Sequence, residues 1–324
     1  MFENNSVSFK SESKTNDNFI IKCAVRDLEV KRIISSAIEH HAVVHTCEEM
    51  RDQYGVALDY VNLDEKGNVD IKHLEELLTS SGEKTLVSLM HINNELGNIL
   101  DIDRVAELCQ ENNALFHSDT VQGVCHYPID LEKTRVDFIV GAAHKFHGPK
   151  GVGFAFIRKG IGMKPLIHGG SQERGSRAGT ESVHNIVGLD EAFKCAYENL
   201  EADTVNVKGI KHYFIEEITN AIPNIQFNGE SGDLDKSTYT LVNTRLPVSP
   251  EKALTLLFQL DIKGIACSKG SACQSGSGKG SHVLTAILPE EEMLKPSVRF
   301  SFSKHNTKEE VDYVVGVLKE FINS

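Results

Sequence analysis

Three short apolar runs in the first half of this chain each stop abruptly at a cluster of polar side chains, and this repeat limits the possible folds severely. Thr85–Met90 opens into His91-Ile-Asn-Asn94-Glu95. Ala114–His117 ends at Ser118, Asp119 and Gln122. Val136–Gly141 ends at His144-Lys145, followed at once by Gly148, Pro149, Gly151 and Gly153. Brief continuous apolar runs bounded by turn residues read as buried β-strands. Amphipathic segments accompany them. Asp70–Ser80 carries Ile71, Leu74, Leu77 and Leu78 on one helical face with Gly82 as a stop, and Asp101–Asn113 turns Val105, Leu108 and Cys109 inward. Strands alternating with helices over short connections imply a mainly parallel sheet covered on both faces. In such sheets the chemistry gathers at the carboxyl ends of the strands, where these polar clusters lie.

After about residue 200 the pattern changes. A helical stretch from Val205 to Ala221 leads into short strand-like pieces at Ser237–Asn243 and Ser297–Phe302. The last helix opens with a capping box, Thr307 and Glu310, and turns Val311, Val314, Val315 and Leu318 inward. We therefore expect an α/β fold in two domains: residues 1–200 with the mainly parallel sheet, and residues 201–324 as a smaller α+β domain. With 324 residues, 40% hydrophobic and 25% charged, the chain has ample material for both. A net charge of −12 argues against a nucleic-acid partner. No stretch is long and apolar enough for a membrane span or a signal peptide, and the seven cysteines are odd in number and scattered, which suggests free thiols in the cytoplasm.

The three strand ends supply a coherent chemistry. A lysine in a glycine-rich turn at a strand end can be desolvated and made nucleophilic, as a Schiff-base lysine must be. An aldehyde cofactor with a pyridine ring needs such a lysine, a carboxylate to keep the ring nitrogen protonated, and a donor near the phenolic oxygen. Lys145, Asp119 and Gln122 provide the three and point to pyridoxal 5′-phosphate. His41 and His45 have the i, i+4 spacing of zinc ligands, but no Glu-x-x-His frame or cysteine pair completes a site, so no metal is expected.

From about residue 30 to the end the chain resembles cysteine desulfurases of the NifS/IscS-like family, fold type I pyridoxal-phosphate enzymes of aminotransferase class V. The resemblance rests on Glu39-His40-His41, Asn93-Asn94-Glu95-Leu-Gly, Ser118-Asp119-Thr-Val-Gln122, His144-Lys145, the run Arg177-Ala-Gly-Thr180-Glu, Gly-Ser-Ala-Cys273, and Ser-Val-Arg299-Phe-Ser. It implies that Lys145 bonds the cofactor aldehyde, that His40 stacks on the ring, and that Asp119 and Gln122 serve the ring nitrogen and phenolic oxygen. His144 would help hold the phosphate, and Thr180 would reach it from the partner subunit of a homodimer. Arg299 would clamp the carboxylate of L-cysteine with help from Asn94. Cys273 would take the sulfur as a persulfide, leaving L-alanine, and pass it to an acceptor or scaffold protein such as iron–sulfur cluster or tRNA-thiolation machinery. Cys267, six residues earlier, reads as a packed residue at a strand end.

The chain also departs from the family pattern. Earlier segments typical of the family are absent, so the large domain is expected to be N-terminally incomplete. The stretch Phe9–Asn18 stands where the family carries a glycine-containing phosphate loop; here it has no glycine and places Glu12 where an anion should lie. Ala142 replaces a serine that usually helps. These departures open two alternatives: an impaired desulfurase-like protein with weak cofactor binding, or a related pyridoxal-phosphate lyase or aminotransferase.

Overall fold

The structure is a computed structural model that describes residues 6–10, 13–268 and 280–323. Two compact units emerge. The first comprises residues 1–62, 69–92 and 100–200; the second comprises residues 63–68, 93–99 and 201–324. The segment carrying Asn93, Asn94 and Glu95 therefore belongs with the second unit, although it follows a strand of the first.

In the first unit, seven strands form one mixed sheet: β1 (Ser6–Lys10), β2 (Arg32–Ser35), β3 (Ala57–Tyr60), β4 (Thr85–Ser88), β5 (Leu115–Asp119), β6 (Phe138–Ala142) and β7 (Gly153–Ile157). Their order is β1-β7-β6-β5-β4-β2-β3. The five strands from β6 to β3 run parallel, while β7 is antiparallel to both β6 and β1. Helices α1 (Ser13–Asp27), α2 (His41–Tyr54), α3 (Ile71–Thr79), α4 (Ile102–Glu111) and α5 (Val183–Glu198) accompany this sheet.

The apolar runs are continuous because each strand feeds two cores. Ile33, Leu86, Phe138, Val140 and Ala155 join Phe19, Ile20, Val43 and Met50 of α1 and α2. The alternate residues Ile34, Val87, Ile139, Phe154 and Phe156 join Leu74, Val105, Leu108 and Leu189 of α3, α4 and α5. Successive side chains on a strand point to opposite faces, so a sheet covered on both sides needs apolar residues at every position. Each fully buried phenylalanine here contributes roughly 2–3 kcal/mol. The helix starts are equally determined: Asp70 accepts the N–H groups of Lys72 and His73, and Asp101 accepts that of Arg104.

The second unit contains α6 (Leu200–Ala221, whose first residue is assigned to the first unit), β8 (Gln226–Phe227), β9 (Leu241–Arg245), α7 (Pro250–Ile262), α8 (His282–Ile287), α9 (Glu290–Met293), β10 (Ser297–Ser301) and α10 (Lys308–Asn323). The strands form a small antiparallel sheet, β10-β9-β8. Its core joins Ile210, Phe214 and Ile218 of α6 to Val242, Leu256, Leu260, Val298, Val311, Val315 and Leu318. The capping box closes as expected, with Glu310 N–H donating to Thr307 Oγ1 and Thr307 N–H to Glu310 Oε2. The strand expected at Ser237–Asn243 begins later, at Leu241. Ser237 and Thr238 are engaged by the fully buried Lys211, whose Nζ donates to Ser237 Oγ at 2.6 Å and to the Thr238 carbonyl at 2.8 Å. Among the described residues, no helix is long and apolar enough to cross a membrane, and no cluster of histidine, cysteine and acidic residues could hold a metal ion.

Candidate active site

In the first unit the site is built on the carboxyl ends of β5 and β6. Asp119 is the last residue of β5 and is buried; its Oδ1 accepts the N–H of Val121 at 2.9 Å. Burial raises its pKa to about 6, against the lowering effect of that hydrogen bond and of the Lys145 charge. The hydrogen bond from Val121 and the charge of Lys145 both favour the anion, and Asp119 lies within electrostatic reach of Lys145. Just beyond it the chain turns tightly, with the N–H groups of Gly123 and Val124 both donating to the Thr120 carbonyl. A side chain at position 123 would start 2.2 Å from Nδ1 of His91, so any residue but glycine must displace that ring. Gln122 sits half-buried on the turn.

Strand β6 ends at the buried Ala142 and passes into a single 3-10 turn, Ala143–Phe146. His147 adopts φ 65° and the N–H of Gly148 returns to the Ala143 carbonyl at 2.8 Å, closing the turn. Ala143 and Phe146 are buried, so the turn presents His144 and Lys145 outward. Both are exposed. The backbone carbonyl of Lys145 is bonded to His126 Nε2 at 3.1 Å, which fixes the main chain while leaving the lysine stem its reach.

His40 lies at the N-cap of α2 with its Nδ1 accepting the N–H of Ala42 at 3.1 Å, so the ring's orientation is set by helix capping. Its neighbour Glu39 is buried, with Oε1 accepting the Met90 N–H and the Ser36 hydroxyl. Burial raises the Glu39 pKa to about 8. The rings of His41 and His45 lie 4.9 Å apart. Thr180 is exposed in the loop before α5, where Gln172 Oε1 accepts the Gly179 N–H. Of the stretch facing the expected phosphate position, Glu12 lies outside the described residues, and α1 begins at Ser13 with no acidic residue in its first turn.

In the second unit, Arg299 of β10 and Asn94 come together: Arg299 Nη1 donates to the Asn94 carbonyl at 2.7 Å. Asn93 Oδ1 accepts the N–H groups of Glu95 and Leu96, which shapes the turn that carries Asn94. Arg299 also exchanges backbone hydrogen bonds with Ser268, at 2.8 and 3.2 Å. Cys267 beside it is half-buried against the core, and burial raises its thiol to about 11, as befits a packed residue. Cys273 lies outside the described residues.

Three buried residues complete the first unit's site: Asp17 of α1 and His117 of β5, which nothing in the sequence singled out, and Glu39, which it marked only as the neighbour of His40. His117 Nε2 lies 3.4 Å from Asp17 Oδ1, and its Nδ1 lies 2.9 Å from Ser88 Oγ. Only the packing of α1 and α2 against the sheet brings these polar groups together, which explains why periodicity did not reveal them.

The described residues of the first unit fit a pyridine aldehyde. A buried carboxylate, an exposed amine within its electrostatic reach, and a histidine with a fixed ring are the donor set such a ring calls for.

The comparisons agree with this geometry. Residues 3–314 match the aminotransferase class-V family. The chain is 38% identical over 322 residues to the cysteine desulfurase IscS of Clostridium botulinum (strain Hall), covering 99% of this chain and 80% of the relative. It is 39% identical over 324 residues to the cysteine desulfurase IscS of Methanosarcina thermophila, covering 99% and 78%. A solved NifS-like protein superposes with a TM-score of 0.87 at 33% identity, over 98% of this chain and 82% of that one. The chain belongs to the aminotransferase class-V family, within its IscS/NifS cysteine desulfurases.

Proposed function

We propose that this protein is a pyridoxal-phosphate-dependent cysteine desulfurase that converts L-cysteine to L-alanine and carries the released sulfur as a persulfide on Cys273. The observation that carries the reading is the pairing of the buried carboxyl of Asp119 with the outward-facing Lys145, within electrostatic reach of each other beyond neighbouring strands. When bound, the cofactor supplies an electron sink for carbanion chemistry at the substrate's α-carbon.

The chain's own residues supply the rest. Lys145 would be the group that bonds the aldehyde, and its amine would serve as the base for the α-proton. Asp119 would hold the proton on the ring nitrogen. Gln122 would serve the phenolic oxygen, His40 would lie against the ring, and His144 would assist the phosphate, as would Thr180 from a second copy in a homodimer. In the second unit, the planar guanidinium of Arg299, already oriented by the Asn94 carbonyl, takes the substrate carboxylate. Asn94 assists in binding. The Cys273 thiolate attacks the substrate sulfur; the C–S bond breaks, an S–S bond forms, and the carbon left behind gains a proton to become alanine. An acceptor protein in the cytoplasm then receives the sulfur.

The test is spectroscopic and kinetic together. Reconstituted protein should show the visible band of lysine-bound pyridoxal, and Lys145→Ala should abolish it. Sulfide release from cysteine should vanish in Cys273→Ala while the band persists. Turnover that ignores Cys273 would instead indicate a lyase or aminotransferase.

A further inference from the structure

Behind Asp119 the first unit buries more titratable groups than it can charge. Asp17 on α1, Glu39 before α2, and Asp119 at the end of β5 are all carboxylic acids with at most 6% of their surface exposed. Cys47 of α2 and His117 of β5 are buried with them, and the cation acting on Asp119 is Lys145. An isolated buried carboxylate is costly, and two that face each other cannot both ionise. The group that keeps its charge must be the one with a cation and a backbone N–H donor, and that is Asp119.

We propose that Asp17 is a positioning residue for Asp119: it holds a proton, presents it to Nε2 of His117, and so leaves the negative charge on Asp119. Several observations carry this assignment. The 3.4 Å separation of Asp17 Oδ1 from His117 Nε2 exceeds the length of a charge-assisted pair, which is about 2.7–2.9 Å. Among the described residues, Asp17 Oδ1 and His117 Nε2 are both buried with no other hydrogen-bond partner, so each faces the other and Asp17 Oδ1 lacks the donors an anion would require. Burial lowers the His117 pKa to about 3, so its imidazole is neutral, and burial together with Asp119 and Glu39 pushes Asp17 well above the usual carboxylate range. With Asp17 as donor, the His117 proton belongs on Nδ1, directed at Ser88 Oγ 2.9 Å away. A charged Asp17 would instead repel the charge on Asp119 and drive a proton onto it, removing the anion that faces the ring nitrogen.

The inference rests on the reading of Asp119 as the ring-nitrogen carboxylate, and the test separates the two. In full-length, cofactor-free protein with nitrogen-labelled histidines, magnetic resonance should show His117 neutral and protonated on Nδ1 near neutral pH. Asp17→Asn should preserve that tautomer, because its amide also offers a proton to Nε2. Asp17→Ala should lose it. In the same variants, Asp17→Ala should weaken pyridoxal-phosphate binding about tenfold, the size of one lost buried hydrogen bond, and move the pH at which the visible band changes. Asp17→Asn should restore both. An imidazolium at His117 in the wild type, or an Asp17→Asn variant as impaired as Asp17→Ala, overturns the proposal. If Asp17→Ala does not fold, the tautomers of wild type and Asp17→Asn decide. A wild type with no visible band but a neutral, Nδ1-protonated His117 would refute the cofactor reading and uphold the proton's location.

Discussion

Replacing Glu39 by glutamine isolates the energetic cost of burying a carboxyl beside the site. Glu39 is 1% exposed, and its pKa rises from an ordinary 4.5 to about 8 because burial disfavours the charged form more than the Met90 and Ser36 hydrogen bonds favour it. A carboxyl raised in the fold binds its proton more tightly there than in the unfolded chain. Its contribution to stability is therefore complete below about pH 4.5 and is lost as pH climbs toward 8. At about 1.4 kcal/mol per pH unit, the gap between 4.5 and 8 amounts to a loss of about 5 kcal/mol, as an upper estimate. Glutamine retains an oxygen to accept from Met90 and Ser36 but cannot ionise. The two proteins should be nearly equal in stability at low pH and diverge as pH rises, with Glu39→Gln the more stable by several kcal/mol near pH 8. Urea unfolding of the cofactor-free proteins at intervals of one pH unit measures this directly. The difference curve cancels His117 and the other titrating groups common to both. If the two unfolding midpoints run parallel across that range, Glu39 is not a buried neutral acid and the reasoning fails.

Three further outcomes follow from the geometry. Gly123→Ala should destabilise the first unit by about 1–3 kcal/mol, because its new methyl would meet the His91 ring; a thermal shift of less than a degree would contradict the contact. Lys211→Met leaves Ser237 Oγ and the Thr238 carbonyl without their buried donor and should cost about 2–3 kcal/mol, readable by chemical denaturation of the small unit. In a brief maleimide reaction of the folded protein followed by peptide mass spectrometry, Cys195 should be labelled well ahead of the buried Cys23, Cys47, Cys109 and Cys125. Equal labelling would show that those four are accessible.

The parts of the fold legible in the sequence were those where one local signal decides. Helices α3 and α4 carry strong apolar stripes and aspartate caps, and β4, β5 and β6 are apolar runs with sharp ends. Strand β9 was misplaced because Ser237–Thr240 has strand-like composition, yet its polar groups are committed to Lys211 and to the turn before it. At the site, Asp119 and Lys145 stood out because one ends an apolar strand and the other follows one within a few residues. Asp17, Glu39 and His117 did not, since burial of a polar residue depends on which elements pack over it. The exposure of Lys145 was equally invisible: an apolar run predicts where a strand stops, not how much water reaches the residue after it. Asn94 looked like part of the strand–turn–helix series of the first unit but groups with the second, through the hydrogen bond to Arg299.

The antiparallel pairing of β1 with β7 sets an order of events for a chain leaving the ribosome. Residues 6–10 are made before the other strands described, yet their partners are residues 153–157, so β1 waits until β7 has been made. Meanwhile β2, β3 and β4 can align with near neighbours in sequence. When β7 arrives it docks on β6 and exposes a fresh row of N–H and C=O groups, which β1 then covers. Long loop closures of this kind slow folding, and an uncovered strand edge invites pairing with other chains. Shortening the chain at its start should therefore affect soluble yield before it affects catalysis.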